Sequence, residues 1–166
     1  MKNRIPEELL SSPLFLLKRL GMKAKEESYE AYTDAGVHPY HYAILATLAE
    51  GERETQGAIA DALGYDRGQL VGLLDELEEA GLVERRRDTE DRRRQVVVMT
   101  PEGRKMLTKM RALSKKLDGE FLAPLTLDQR QHLRELLLVL AMEHVPSCRD
   151  LPAITGSASR AGARAH

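Results

Sequence analysis

The sequence predicts a mainly α protein that carries one small β-hairpin. Three observations lead there. Apolar residues recur at helical spacing from Leu9 to His144, broken at Gly and Pro positions. A single run of β-branched residues, Gln95-Val96-Val97-Val98-Met99, follows an arginine-rich turn and reads as strand. The chain of 166 residues is long enough for one domain with added helices and too short for two large ones.

Leu9 to about Ala35 reads as one long first helix, with Leu10, Leu14, Leu17, Ala24 and Ala31 near helical spacing and Gly36 as the breaker. His38-Pro39 opens a second helix, because Pro suits a first helical turn, and Ala43, Ile44, Ala46, Leu48 and Ala49 carry it to Glu50-Gly51. Thr55 to Ala80 holds a third and a fourth helix divided at Leu63-Gly64-Tyr65. Asp66 is placed as N-cap of the fourth, Gln69 stands in a capping-box position, and Gly81 closes it. Leu82 to Arg87 and Gln95 to Met99 then form two strands around a charged turn. Thr100-Pro101 starts a fifth helix whose Met106, Met110, Leu113, Leu117 and Phe121 form a stripe suited to a helix-helix seam. Thr126-Leu127-Asp128-Gln129 matches a capping box ahead of a sixth helix carrying Leu133, Leu136, Leu137, Leu140 and Ala141.

The predicted organisation is an N-terminal dimerisation helix at 1–36, a winged helix-turn-helix at 37–100, C-terminal dimerisation helices at 101–145 and a flexible tail at 146–166. The outer helices are amphipathic and lack a core of their own, so the seams of the first, fifth and sixth helices ask for a second copy of the chain.

Gln56 to Leu74, QGAIADALGYDRGQLVGLL, has the small residue, turn glycine and apolar anchor that a helix-turn-helix needs, at Ala60, Gly64 and Leu70. Any helical hairpin could show the same spacing. The residues that follow are more specific. Leu74-Asp75-Glu76-Leu77-Glu78-Glu79-Ala80-Gly81-Leu82-Val83-Glu84-Arg85, then Asp88-Thr89-Glu90-Asp91-Arg92-Arg93-Arg94, then Met99-Thr100-Pro101-Glu102-Gly103-Arg104, resemble the recognition-helix end, wing and wing exit of the MarR family of winged-helix transcription regulators. The element order from Leu9 to His144 agrees with that family. The resemblance does not reach the first ten residues or the tail after Val145.

The resemblance implies a homodimer whose first, fifth and sixth helices interleave while two winged heads face a pseudo-palindromic operator in double-stranded DNA. It implies a repressor that occludes polymerase and is released by a small-molecule effector. It also implies that Arg93 of the Asp-x-Arg wing pattern enters the minor groove while Asp91 buttresses it. Two heads of this kind read half-sites roughly 10 base pairs apart.

The residues themselves define the candidate contacts. At the start of the fourth helix Arg67 suits a bidentate pair with guanine or a phosphate contact, and Gln69 suits a pair with adenine or a capping role. Gly68 lets that helix approach closely. Arg85, Arg86, Arg87, Arg92, Arg93 and Arg94 concentrate positive charge on the hairpin, diluted by Asp88, Glu90 and Asp91. Taken alone, such a turn also fits a solvated hairpin.

Tyr29, Tyr32, His38, Tyr40, His41 and Tyr42 gather four of the five tyrosines at the junction of the first two helices. By the resemblance, small aromatic or phenolic effectors bind between this junction and the fifth helix, where Arg111 is a candidate partner for a carboxylate. The same side chains also suit a satisfied dimer interface. The chain has no tryptophan, which speaks against the urate-responsive relatives.

Lys and Arg number 25 against 26 Asp and Glu, so basic surface must be local and not global. The histidines His38, His41, His132, His144 and His166 show no metal-ligand spacing, and one cysteine supports neither an internal disulfide nor a structural zinc site. Cys148 reads as an incidental thiol more readily than as an oxidant sensor, since it lies in the tail. No nucleophile elbow, phosphate loop or paired carboxylates appear, so no enzyme and no cofactor is expected. With no signal-peptide core in MKNRIPEELL and no membrane-length apolar stretch, the cytoplasm is the expected location. The alternative function is a winged-helix module that binds protein, which would place an apolar patch where this chain has a basic wing.

Overall fold

The structure, a computed structural model, describes residues 4–51 and 54–148. Its elements are α1 (Glu7–Leu10), α2 (Pro13–Asp34), α3 (Pro39–Gly51), α4 (Gln56–Leu63), α5 (Arg67–Glu79), β1 (Val83–Arg87), β2 (Gln95–Met99), α6 (Pro101–Phe121), α7 (Leu127–His144) and a 3-10 turn at Pro146–Cys148. The expected class, helices with one hairpin, is what forms.

The N-terminal segment differs from the single helix expected from Leu9. Pro13 has no N–H to continue a helix, and it forces Ser12 into extended backbone at φ −93° and ψ 111°. Ser12 Oγ then accepts the Phe15 N–H at 3.3 Å and caps a new helix, so the apolar periodicity continues across a break.

Within the head, Thr55 caps α4 by accepting the Ala58 N–H at 3.2 Å. Gly64 then turns the chain at φ 66°, a left-handed conformation that glycine adopts without strain, and the Tyr65 N–H reaches back to the Ala60 carbonyl at 3.0 Å. Asp66 restarts the helix, its Oδ1 accepting the N–H of Gly68 at 2.8 Å and of Gln69 at 3.1 Å. These caps set where α5 begins and therefore which side chains lead it.

The strands pair antiparallel, Val83 opposite Met99 through Arg87 opposite Gln95. A bridge that the sequence does not announce joins Glu54 to Val97, with the Val97 N–H donating to the Glu54 carbonyl at 2.8 Å. It pins β2 to the start of the helix-turn-helix. At the hairpin exit Thr100 caps α6, accepting the Gly103 N–H at 3.0 Å, while its hydroxyl donates to the Gly81 carbonyl at 2.7 Å. Gly103 lies so close to the Leu82 carbonyl that a Cβ there would stand 2.1 Å from that oxygen. The wing is thus riveted to α6 at a point with no room for a side chain.

One core holds this unit together. Tyr32, Ile44, Leu45, Leu48, Ile59, Leu70, Leu74, Leu77, Val83, Val97, Leu107 and Met110 are all buried in it. Met106, Leu113 and Leu117 are half-buried against the same core. The α6 stripe, expected to await a partner helix, is therefore largely occupied within its own chain: α6 packs on α3 and α2.

The chain divides between Pro124 and Leu125 into two compact units, so α6 belongs with the head and not with α7. In the second unit Thr126 Oγ1 accepts the Gln129 N–H at 3.3 Å and Gln129 Oε1 accepts the Thr126 N–H at 2.9 Å, the reciprocal box the sequence predicts. α7 leaves Leu136, Leu137, Val139 and Leu140 exposed. In the first unit Leu9, Leu10, Leu14, Leu17 and Leu20 are exposed as well. Of the tail expected from residue 146, the first three residues form the 3-10 turn and 149–166 lie outside the described residues. Among the described residues no helix is long and apolar enough to cross a membrane.

Candidate nucleic-acid interface

Two surfaces of the head could meet a polyanion, and both follow from local rules. The first is the leading turn of α5. Asp66 consumes the amides of Gly68 and Gln69, while the side chains of Arg67 and Gln69 are exposed and neither has a partner among the described residues. Gln69 enters the cap through its main-chain N–H, so capping does not occupy its amide. Leu70, Leu73, Leu74 and Leu77 face the core, while Gly68, Val71, Gly72 and Asp75 remain exposed. Exposed Val71 was not among the residues singled out from sequence. A β-branched residue inside an amphipathic pattern gives no sign of its side until the helix is packed.

The second surface is the hairpin loop from Asp88 to Arg94. The Asp88 N–H donates to the Arg94 carbonyl at 3.0 Å and the Arg94 N–H to the Asp91 carbonyl at 2.9 Å, which closes the loop. Asp91 Oδ1 accepts both the N–H of Arg93 at 3.0 Å and its Nε–H at 3.1 Å. The hydrogen bond from the Arg93 side chain, followed by that from its backbone, holds the Asp91 carboxyl below the usual aspartate range. Arg93 nevertheless keeps 92% of its side chain exposed, so the buttress aims the guanidinium without burying it. Arg92 and Arg94 are exposed beside it.

Arg85 and Arg86 do not belong to this free set. The Arg85 side chain is only 17% exposed. Its guanidinium bonds Asp75 Oδ1 at 2.5 Å and Glu78 Oε2, and its N–H donates to Glu78 Oε1 at 2.9 Å. The backbone hydrogen bond from Arg85, and then its side-chain bond, keep the Glu78 carboxyl below the ordinary value. Arg85, expected from sequence to contact DNA, thus ties β1 to α5. Arg86 bonds Glu84 through Nε at 2.6 Å, an exposed pair on β1.

The aromatic cluster does assemble, but as packed rings. His38 meets Tyr29 edge-on at 5.9 Å, Tyr40 at 5.1 Å and His41 at 5.4 Å, while Tyr32 stacks on Tyr42 at 6.0 Å. Tyr40 also meets Tyr65 at 5.3 Å, a residue at the helix-turn-helix turn that the sequence did not connect to the cluster. Tyr32 is 4% exposed, and burial pushes its phenol up, partly offset by a hydrogen bond with Ser114. His41 Nε2 lies 2.9 Å from Glu76 Oε2 on α5, 35 residues away in the chain. Burial lowers its imidazole below the ordinary range despite that carboxylate. Tyr32 and His41 thus take part in packing and bonding inside the chain.

A groove of about 120 Å³ lies further along α2 and α6, lined by Ala24, Glu27, Ser28, Leu117, Asp118, Phe121 and Leu122. None of the predicted ligand residues lines it, and Arg111 stands exposed on α6 with no partner among the described residues. The described residues also hold no group of three or more His, Cys, Asp or Glu placed to bind a metal ion.

Comparison with known proteins places this geometry. Residues 35–94 match the model of the MarR family. The chain is 35% identical over 105 residues to a transcriptional regulatory protein for the hcr operon of Thauera aromatica, covering 63% of either protein. It thus spans somewhat under two thirds of that relative's length. It is 30% identical over 96 residues to the transcriptional regulator HosA of Escherichia coli, spanning 58% of this chain and 71% of HosA. The crystal structure of CouR from Rhodococcus jostii RHA1 bound to p-coumaroyl-CoA superposes with a TM-score of 0.70 at 30% identity, over 82% of this chain and 96% of CouR. The chain belongs to the MarR family. As a MarR-family chain it carries that family's winged helix-turn-helix on α3, α4, α5 and the β1–β2 hairpin. The matched stretch contains both candidate surfaces, the start of α5 and the wing to Arg94, while the groove on α2 and α6 lies outside it.

Proposed function

We propose that this protein is a sequence-specific DNA-binding transcription regulator that binds a pseudo-palindromic operator as a homodimer and represses until a small aromatic or phenolic effector releases it. The observation that carries the reading is the division among the arginines. Arg85 is half-buried between two carboxylates and Arg86 is paired with Glu84, whereas Arg67 and Arg92 are exposed without side-chain partners among the described residues, Arg94 is exposed with only the Asp91 carboxylate near it, and Arg93 projects from its buttress. Free guanidinium groups at a helix start and at a hairpin tip match a major-groove reader and a minor-groove probe. The dimer is supported by the exposed leucines of α1, α2 and α7, since apolar faces of that extent ask for cover. The effector is supported by CouR, a relative whose structure holds p-coumaroyl-CoA. A protein-binding module receives less support, because Val71 is the one large exposed apolar side chain between residues 30 and 126 among the described residues.

The test is a fluorescence-anisotropy titration against selected and scrambled duplexes at two salt concentrations. Arg67→Ala should cost about 1 to 3 kcal/mol on the selected duplex with little loss on the scrambled one. Arg93→Ala should weaken both more nearly alike and flatten the salt dependence. A wild type with neither duplex preference nor salt dependence overturns the reading. For the dimer, Leu136→Asp with Leu140→Asp should give monomer or aggregate by light scattering, and an unchanged dimer mass contradicts it.

A further inference from the structure

The outward side of α5 has a composition that its own packing does not explain. Val71 is 45% exposed, on the side of the helix away from Leu70, Leu73, Leu74 and Leu77, which fill the core. It stands one turn beyond Arg67, on the same side. Beside it are two glycines. A Cβ at Gly72 would meet nothing within 4 Å, and one at Gly68 would meet only the Asp66 cap oxygen, at 3.1 Å. Nothing inside the chain therefore asks for glycine at Gly72, although glycine disfavours helix relative to alanine. A helix that accepts that penalty on its outer side, next to one apolar side chain and one free arginine, is shaped for close approach to a partner surface.

We propose that Val71 determines specificity by packing on the 5-methyl group of a thymine in the major groove. This rests on the reading that α5 enters that groove and adds what the helix reads beyond Arg67. The thymine methyl is the apolar feature that the major groove presents, and a branched aliphatic side chain covers it without needing a hydrogen bond. Four residues of helix advance the chain by about 6 Å, so the thymine lies within about two base pairs of the pair that Arg67 contacts. Val71 contributes the apolar contact, Gly68 and Gly72 allow the backbone near the base edges, and Arg67 reads the neighbouring pair.

The experiment uses the full-length protein and a duplex enriched from a random pool, with each thymine replaced singly by uracil, which removes only the methyl group. One position in each half-site should weaken wild type about fourfold when demethylated, the worth of one buried methyl-sized contact. Val71→Ala, which removes the contact from both subunits, should lose about 16-fold on the thymine duplex and respond no further to uracil at that position. Val71→Thr, which keeps a methyl on a branched side chain, should retain part of the effect. The inference is overturned if wild type binds its selected duplex but tolerates uracil everywhere, or if Val71→Ala stays as sensitive as wild type. If no duplex is enriched at all, the DNA-binding reading falls and this inference with it.

Discussion

Arg85 offers the sharpest separation between touching DNA and positioning what touches it. Arg85→Gln removes guanidinium bonds to Glu78 and Asp75 while leaving the main-chain bond from residue 85 to Glu78 in place. The side chain is 17% exposed, but its partners are 39% and 62% exposed, so solvent screens much of the attraction. Charge pairs broken in a fully dry interior cost about 3 to 5 kcal/mol and exposed ones about 0.2 to 1 kcal/mol. Two contacts of intermediate exposure should then lower unfolding free energy by about 1 to 2 kcal/mol, read by urea titration at fixed protein concentration. Because Arg85 links β1 to α5, the variant should also bind the operator more weakly. Its plot of log affinity against log salt should nonetheless keep the wild-type slope, since no phosphate contact is lost. Arg93→Ala, by contrast, should reduce that slope by about 0.9 for each contact removed. If Arg85→Gln flattens the slope as much as Arg93→Ala and leaves stability unchanged, Arg85 is a phosphate contact and not a tie between β1 and α5.

Gly103→Ala should destabilise by about 2 to 3 kcal/mol, because its Cβ would stand 2.1 Å from the Leu82 carbonyl, itself held by the Thr100 N–H at 3.1 Å. A urea midpoint within error of wild type contradicts that packing. Burial lowers the His41 imidazole in the folded state from its ordinary 6.5, so its neutral form is favoured and its effect on stability vanishes above that pH. As pH falls below 6.5 the wild type should lose stability relative to His41→Gln, the gap widening until the folded-state value is passed. The charged and titratable groups around that ring are Glu76 on α5, His38 just before α3, Tyr40 on α3, and Tyr29 on α2 against His38. Parallel unfolding profiles of the two proteins from pH 7 to 5 contradict the assignment.

The helix starts were legible because capping is a short-range bargain between a side chain and amides two or three residues on. The sequence marks Asp66, Thr100 and Thr126 as caps, and each caps its helix in the structure. The break at Ser12-Pro13 carried the same kind of signal and was overridden by an apolar periodicity that runs through it. The α6 stripe was read correctly as apolar and assigned to the wrong neighbour. Periodicity identifies a face that must be covered, but it does not say whether the cover comes from the same chain.

Sequence by itself determined the helix and strand order, the caps, the turn at Gly64 and the arginine-rich wing, since each rests on residues a few positions apart. Only the tertiary structure decided which arginines are free. Arg85 and Arg93 sit in the same basic stretch, yet one meets Asp75 and Glu78, 10 and 7 residues earlier, once β1 packs on α5. The other is met by Asp91 two residues away and stays in solvent. The return of the hairpin at Thr100 placed Gly103 against Leu82, the packing of α5 put His41 beside Glu76, and the same seat turned Val71 outward. These are pairings across long sequence separations. They are set by how the buried leucines seat α5 and how the hairpin returns to α6, and no local rule for spacing or composition contains that information.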